Sequence, residues 1–81
     1  MEKIATFFTH LGALRFERKL KKLGDDTAAM SPVPRKLSAS CGTCVRFHAD
    51  FKEEWADEDL EAVYQVDGSN KYICLFENEE E

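Results

Sequence analysis

Ile4-Ala5-Thr6-Phe7-Phe8-Thr9-His10-Leu11-Gly12-Ala13-Leu14-Arg15-Phe16-Glu17-Arg18-Lys19-Leu20-Lys21-Lys22-Leu23-Gly24 changes hydrophobic period part-way along its length. Ile4 to Phe8 is a short apolar run rich in β-formers, which predicts a buried first strand. Thr9 then offers an N-cap, and Ala13, Phe16, Leu20 and Leu23 recur at helical spacing, with Leu14 widening the stripe. Arg15, Arg18, Lys19, Lys21 and Lys22 fill the remaining faces, and those near the end suit the negative pole of the helix. Gly24 supplies a stop. A strand followed by a helix over residues 10–23 is therefore expected, and the rest of the chain must complete the sheet.

Working outward, Asp25-Asp26 makes a turn and Thr27 to Val33 reads as a second strand, which Pro32 and Pro34 confine to an edge or a loop entry. A loop covers Pro34 to Gly42. Thr43 to His48 reads as a third strand, with Val45 and Phe47 facing the core and Cys44, Arg46 and His48 on the other side. Phe51 and Trp55 anchor a second, short helix over Asp50 to Leu60. Ala62 to Val66 and Lys71 to Phe76 form a hairpin about Asp67-Gly68-Ser69-Asn70. The order β-α-β-β-α-β with an extra C-terminal strand predicts an α+β fold, a split β-α-β (ferredoxin-like) two-layer sandwich. In that topology the first two strands run parallel, so Thr9 and His10 face the Pro34–Gly42 loop.

The 81 residues leave room for one domain, expected over 1–76, with 77–81 as an acidic solvated tail. A core this small gains from a metal, a disulfide or dimerisation, which keeps a homodimer open. The net charge of −5 conceals a split. Residues 1–48 carry nine Lys/Arg against four Asp/Glu (+5), and residues 49–81 carry two against twelve (−10). An acidic chain without a continuous basic run argues against nucleic acid. Met1-Glu2-Lys3 precedes too short an apolar run for a signal peptide, and no segment is long enough to span a membrane. With three cysteines, this predicts a reducing, cytoplasmic setting.

Reactive chemistry concentrates in Pro34-Arg35-Lys36-Leu37-Ser38-Ala39-Ser40-Cys41-Gly42-Thr43-Cys44-Val45-Arg46-Phe47. Cys41 ends the loop and Cys44 lies in the strand. A thiolate is the nucleophile, and cations or a helix N-terminus favour it. Arg35, Lys36, Arg46 and His10 are the available groups. Ser38 and Ser40 can donate to a thiolate or bound anion, and Gly42 allows a tight turn. Cys44 would then be the resolving partner. The strand after Cys44 does not fit a thioredoxin-type C-x-x-C, which opens a helix. The basic, hydroxyl-rich loop lacks P-loop glycine spacing. No resident cofactor is expected; zinc is the competing reading, at Cys41 and Cys44 with His48 and Cys74 as the weak second half. The plain alternatives are a surface His10, solvated Arg46 and His48, serines satisfying loop backbone, and Cys74 as a small strand hydrophobe.

Thr9-His10, Ala13-Leu14, Glu17, Val33-Pro34-Arg35, Leu37-Ser38-Ala39-Ser40-Cys41-Gly42 and Val45-Arg46-Phe47 together resemble the selenium/sulfur (Se/S) carrier protein-like family, a small bacterial domain, over about residues 3–48. The resemblance implies a role in sulfur or selenium trafficking. Cys41 corresponds to the family's motif cysteine, and Cys44 to a position where cysteine or a small residue occurs. The expectation is a carrier rather than an enzyme, holding a persulfide or perselenide on Cys41. Its partners are donor and acceptor proteins, with no nucleic acid and no membrane. Arg35, Lys36 and Arg46 would stabilise the anion, and Cys44 would release the cargo by forming a disulfide. A zinc-binding structural module and a thiol redox-sensing interaction domain are the alternatives.

Overall fold

A computed structural model of the chain describes residues 1–37, 39–68 and 71–78. Its elements are β1 (Lys3–Phe7), α1 (His10–Lys22), β2 (Ala29–Pro32), β3 (Thr43–Phe47), a single 3-10 turn (Glu53–Trp55), β4 (Leu60–Asp67) and β5 (Lys71–Glu77). The strands form one sheet in the order β2-β3-β1-β4-β5, and every pairing is antiparallel. β1 and β2 are each antiparallel to the β3 that lies between them, so they run in the same direction. That is the expected split β-α-β unit. The protein is α+β, with one helix on a five-stranded sheet.

Capping explains where α1 begins and ends. The Thr9 side chain accepts a hydrogen bond from the Gly12 amide at 3.0 Å. Lys19, Lys21 and Lys22 occupy the last turn, and Gly24 follows with φ +103°, a conformation that costs glycine little. Ala13, Phe16 and Leu20 are buried against Ala5, Phe7, Val45, Phe47, Leu60 and Val63 from the sheet. Phe16 is the hub. Its ring stands 5.3 Å from Phe7, 5.5 Å from Phe47 and 6.4 Å from Trp55, tilted or edge-on as aromatic quadrupoles favour.

The second helix is a correction. Between residues 50 and 60 the chain makes only the 3-10 turn at Glu53–Trp55. Glu53 and Asp57, and Glu54 and Glu58, would sit at i,i+4 in a helix, a like-charge spacing that disfavours it. The Asp57 carboxylate instead accepts from the Asp59 and Leu60 amides at 2.9 and 3.1 Å, which turns the chain into β4. Phe51 and Trp55 still act as anchors: their rings are 6.2 Å apart, and Phe51 lies 5.6 Å from Phe76 of β5. The ferredoxin-like pattern thus lacks its second helix among the described residues, while β5 is the expected additional strand.

β1 is central and buried along its whole length. The register between β1 and β4 shifts between Thr6, which pairs with Ala62, and Phe7, which pairs with Leu60. Glu61 is therefore the extra residue of a β-bulge, at the sheet end where α1 starts.

Candidate functional site

β1 ends, β2 ends, and β3 and β4 begin at one end of the sheet. The loop between Pro32 and Thr43 therefore shares that end with Thr9 and His10, as the topology predicted. The loop is tied at its base by a bond from the Val33 amide to the Gly42 carbonyl at 3.2 Å. A turn from the Leu37 amide to the Pro34 carbonyl, 3.0 Å, shapes its first half. Gly42 has φ +72°, so a side chain there would strain the backbone that presents Cys41. Ser38 lies outside the described residues.

Cys41 is half-buried and packs at the margin of the helix-side core, its thiol 3.5 Å from the Thr43 carbonyl. Cys44 is different. It pairs across the sheet with Thr6 and Ser31 on the face opposite the helix, and it is fully buried. Its thiol lies 3.3 Å from the Ser31 hydroxyl and 3.6 Å from the Pro32 carbonyl. Burial pushes the Cys44 thiol pKa up, against the opposing pull of the Ser31 hydrogen bond and the Arg46 charge. All three cysteines are free thiols. The C-x-x-C pair is thus divided between the two faces of the sheet.

The predicted cations are divided between a sheet face and the loop. Arg46 shares the face of Cys44, donating from Nε to Ser31 Oγ at 3.0 Å and pairing through Nη1 with Glu2 at 3.1 Å. Arg35 and Lys36 are exposed on the loop. Thr9 is occupied in capping α1, and His10 is exposed in its first turn. The strongest concentration of positive charge, Arg15, Arg18, Lys19 and Lys22 around an open depression with Leu23, lies toward the other end of α1. At a rise of about 1.5 Å per residue, Arg15 lies about 8 Å and Lys22 about 18 Å along the helix axis from His10.

Sequence reasoning missed three participants. Ser31 and Glu2 join Arg46 in the network beside Cys44, and Glu61 clamps the cysteine loop. Glu61 Oε1 accepts from the Ser40 amide and Oε2 from the Ser40 hydroxyl, each at 3.1 Å. The Ser40 hydroxyl proton is thus directed at a carboxylate rather than at Cys41. No local pattern links residues 40 and 61; only the strand register brings them together.

The candidate zinc ligands are not assembled. His48 sits at the far end of β3, where its Nδ1 lies 2.8 Å from Thr27 Oγ1. Cys74 is on edge strand β5, three strand spacings from Cys44, or about 14 Å. Among the described residues no group of three or more His, Cys, Asp or Glu side chains is arranged to hold a metal ion. Also among them, no helix is long and apolar enough to cross a membrane.

A loop thiol at the sheet end where α1 starts is the geometry on which comparison with known proteins bears. The sequence matches the family described as "Putative Se/S carrier protein-like" over residues 2–68. The chain belongs to this family. The match continues past His48 into β4, so Glu61 and the bulge lie inside the Se/S carrier-like region. A protein of Aquifex aeolicus (strain VF5) described as "Putative sulfur carrier protein" is 33% identical over 70 residues, covering 78% of this chain. The chain spans about a third (36%) of that relative's length. No solved structure matches.

Proposed function

We propose that this Se/S carrier-like protein holds a sulfane sulfur, or the corresponding selenium, on Cys41 and relays it between a donor and an acceptor protein. The observation that carries this reading is the contrast between the two motif cysteines. Cys41 is partly open at the loop end, and Cys44 is sealed in the sheet. Membership of the family and the name of the Aquifex relative support the cargo class.

In loading, the Cys41 thiolate attacks the terminal sulfur of a persulfide on the donor. The donor's S–S bond breaks, its thiolate leaves, and Cys41 becomes the persulfide. In delivery, a thiolate of the acceptor attacks that terminal sulfur and Cys41 returns to a thiolate. Each transfer exchanges one S–S bond for another, so no oxidant or reductant is consumed. Burial of Cys44 on the opposite face favours handing the cargo to an external thiol over closing a Cys41–Cys44 disulfide. Arg35 and Lys36 are the loop cations that can screen a persulfide anion, at the modest strength that exposed charges have.

The test is mass spectrometry after incubation with a cysteine desulfurase and cysteine. Wild type should gain one sulfur on Cys41, and Cys44→Ser should do the same. Cys41→Ser should gain none at that position. An unloaded wild type, or loading that survives Cys41→Ser, refutes the reading.

A further inference from the structure

We infer that Glu61 is the positioning residue for Cys41. The inference rests on Cys41 being the cargo-bearing thiol, and two separate observations lead to it. The first is the clamp. One carboxylate oxygen accepts from the Ser40 amide and the other from the Ser40 hydroxyl, so both donors of the residue before Cys41 are held from a strand twenty-one positions away. The second is the bulge. Glu61 is the residue of β4 that has no partner on β1, between Leu60 opposite Phe7 and Ala62 opposite Thr6. A bulge takes a side chain out of the strict alternation of the strand and re-aims it. Its backbone is held as well, because the Glu61 carbonyl accepts from the Asn78 amide at 2.9 Å.

Other holds among the described residues of the loop lie at its base and at the thiol itself. The Val33–Gly42 bond closes its base, and the Cys41 thiol contacts the Thr43 carbonyl. Ser40 is exposed, and among the described residues the Glu61 carboxylate is the partner that fixes its direction. A charged acceptor receiving two donors makes the stronger class of hydrogen bond. Glu61 acts on the thiol through Ser40. A glutamine there has one acceptor oxygen and presents its NH2 group to the second Ser40 donor, so it keeps half of the clamp.

The experiment compares wild type, Glu61→Gln and Glu61→Ala in three measurements. Hydrogen exchange at the Ser40 amide reports the clamp directly. Alkylation of Cys41 by iodoacetamide, taken as a ratio to exposed Cys74 in the same molecule, reports how the thiol is held. Persulfide loading from a desulfurase reports function.

Glu61→Ala should raise Ser40 exchange about tenfold, the factor that corresponds to about 1.4 kcal/mol. It should also raise the Cys41-to-Cys74 alkylation ratio several-fold and lower the loading rate at saturating donor, with KM for the donor unchanged. Glu61→Gln should fall between. Unchanged exchange and alkylation ratio in both variants overturn the inference, as does wild-type loading by a variant whose clamp is broken. If wild type itself takes no sulfur, the carrier reading fails, while exchange and alkylation, which involve no cargo, still decide for or against Glu61.

Discussion

Gly12→Ala offers a sharp test of how the site end is held together. Gly12 lies in the first turn of α1 and is buried. In an exposed helix, alanine at such a position would gain about 1 kcal/mol over glycine. Here a Cβ would stand 2.6 Å from Asp59 Cβ, 3.2 Å from Asp59 Cγ and 3.3 Å from Thr9 Oγ1. Ordinary carbon contacts lie near 3.5–4.0 Å, so the overlap with Asp59 is about 1 Å. The contact atom is Cβ, next to the backbone, and it cannot rotate away. That backbone is pinned too: the Asp59 carbonyl accepts from the Phe8 amide at 2.8 Å, and its amide donates to Asp57 at 2.9 Å. Overpacking costs about 1–3 kcal/mol, and the upper part of that range applies when the neighbour cannot yield. Disturbing the Thr9 cap adds up to about 1 kcal/mol. Set against the propensity gain, the net expectation is a loss of about 2 kcal/mol. Urea unfolding of wild type, Gly12→Ala, Asp59→Gly and the double variant measures it. The double variant should recover about 1–2 kcal/mol of coupling, because Asp59→Gly removes the atom struck. A Gly12→Ala protein more stable than wild type would refute this account of the helix–strand contact.

Two further outcomes are expected. Asp25 accepts from the Thr27 amide at 3.0 Å, from the Thr27 hydroxyl, and from the His48 and Ala49 amides at 2.9 and 2.8 Å. Partial burial works to raise its pKa, but these hydrogen bonds outweigh it and hold the carboxyl well below the usual carboxylate range. Asp25→Asn should cost roughly 1–2 kcal/mol at pH 7 after allowance for solvent screening. The stabilisation is complete above the unfolded pKa of about 4 and is lost as pH falls through the lower folded value. The gap in urea midpoint between wild type and variant should therefore narrow below about pH 4; a constant gap down to pH 2.5 contradicts the assignment. Among the thiols, iodoacetamide should modify exposed Cys74 first and half-buried Cys41 next. Cys44 should react only on unfolding, being fully buried with its thiol pKa raised. Peptide mapping over time checks the order, and early labelling of Cys44 would contradict its placement.

The parts of the fold legible in sequence were those with a clean period or a capping residue. The β1–α1 stretch had both, and residues 3–22 form the predicted strand and helix. Val45 and Phe47 face the core because strand alternation leaves them no other side. Phe51 and Trp55 signalled packing against the core correctly but not the backbone that delivers it, since the acidic residues between and beyond them oppose a helix. For the site, the motif located the loop, and topology correctly added Thr9 and His10 to its end of the sheet. The errors concern what surrounds each thiol. Arg46 follows Cys44 by two residues, so alternation alone places it on that face, beside Ser31 rather than Cys41. The burial of Cys44 comes from outside its own strand: Thr6 and Ser31 stand beside it on the flanking β1 and β2. Glu61 was invisible for a different reason: a bulge is a property of two strands in register, not of either one.

That bulge also bears on how the sequence can drift. Ala62 and Val63 are buried on opposite faces of β4, Val63 against the helix-side core. Leu60 opposite Phe7, Ala62 opposite Thr6 and Val63 opposite Ala5 already alternate as a regular strand does, and Glu61 stands outside that count. Deleting it should therefore close the bulge and leave those pairs in place, with Val63 still toward the helix. What is lost is the carboxylate on Ser40. Relatives that dispense with the clamp are expected to tolerate a gap at this position.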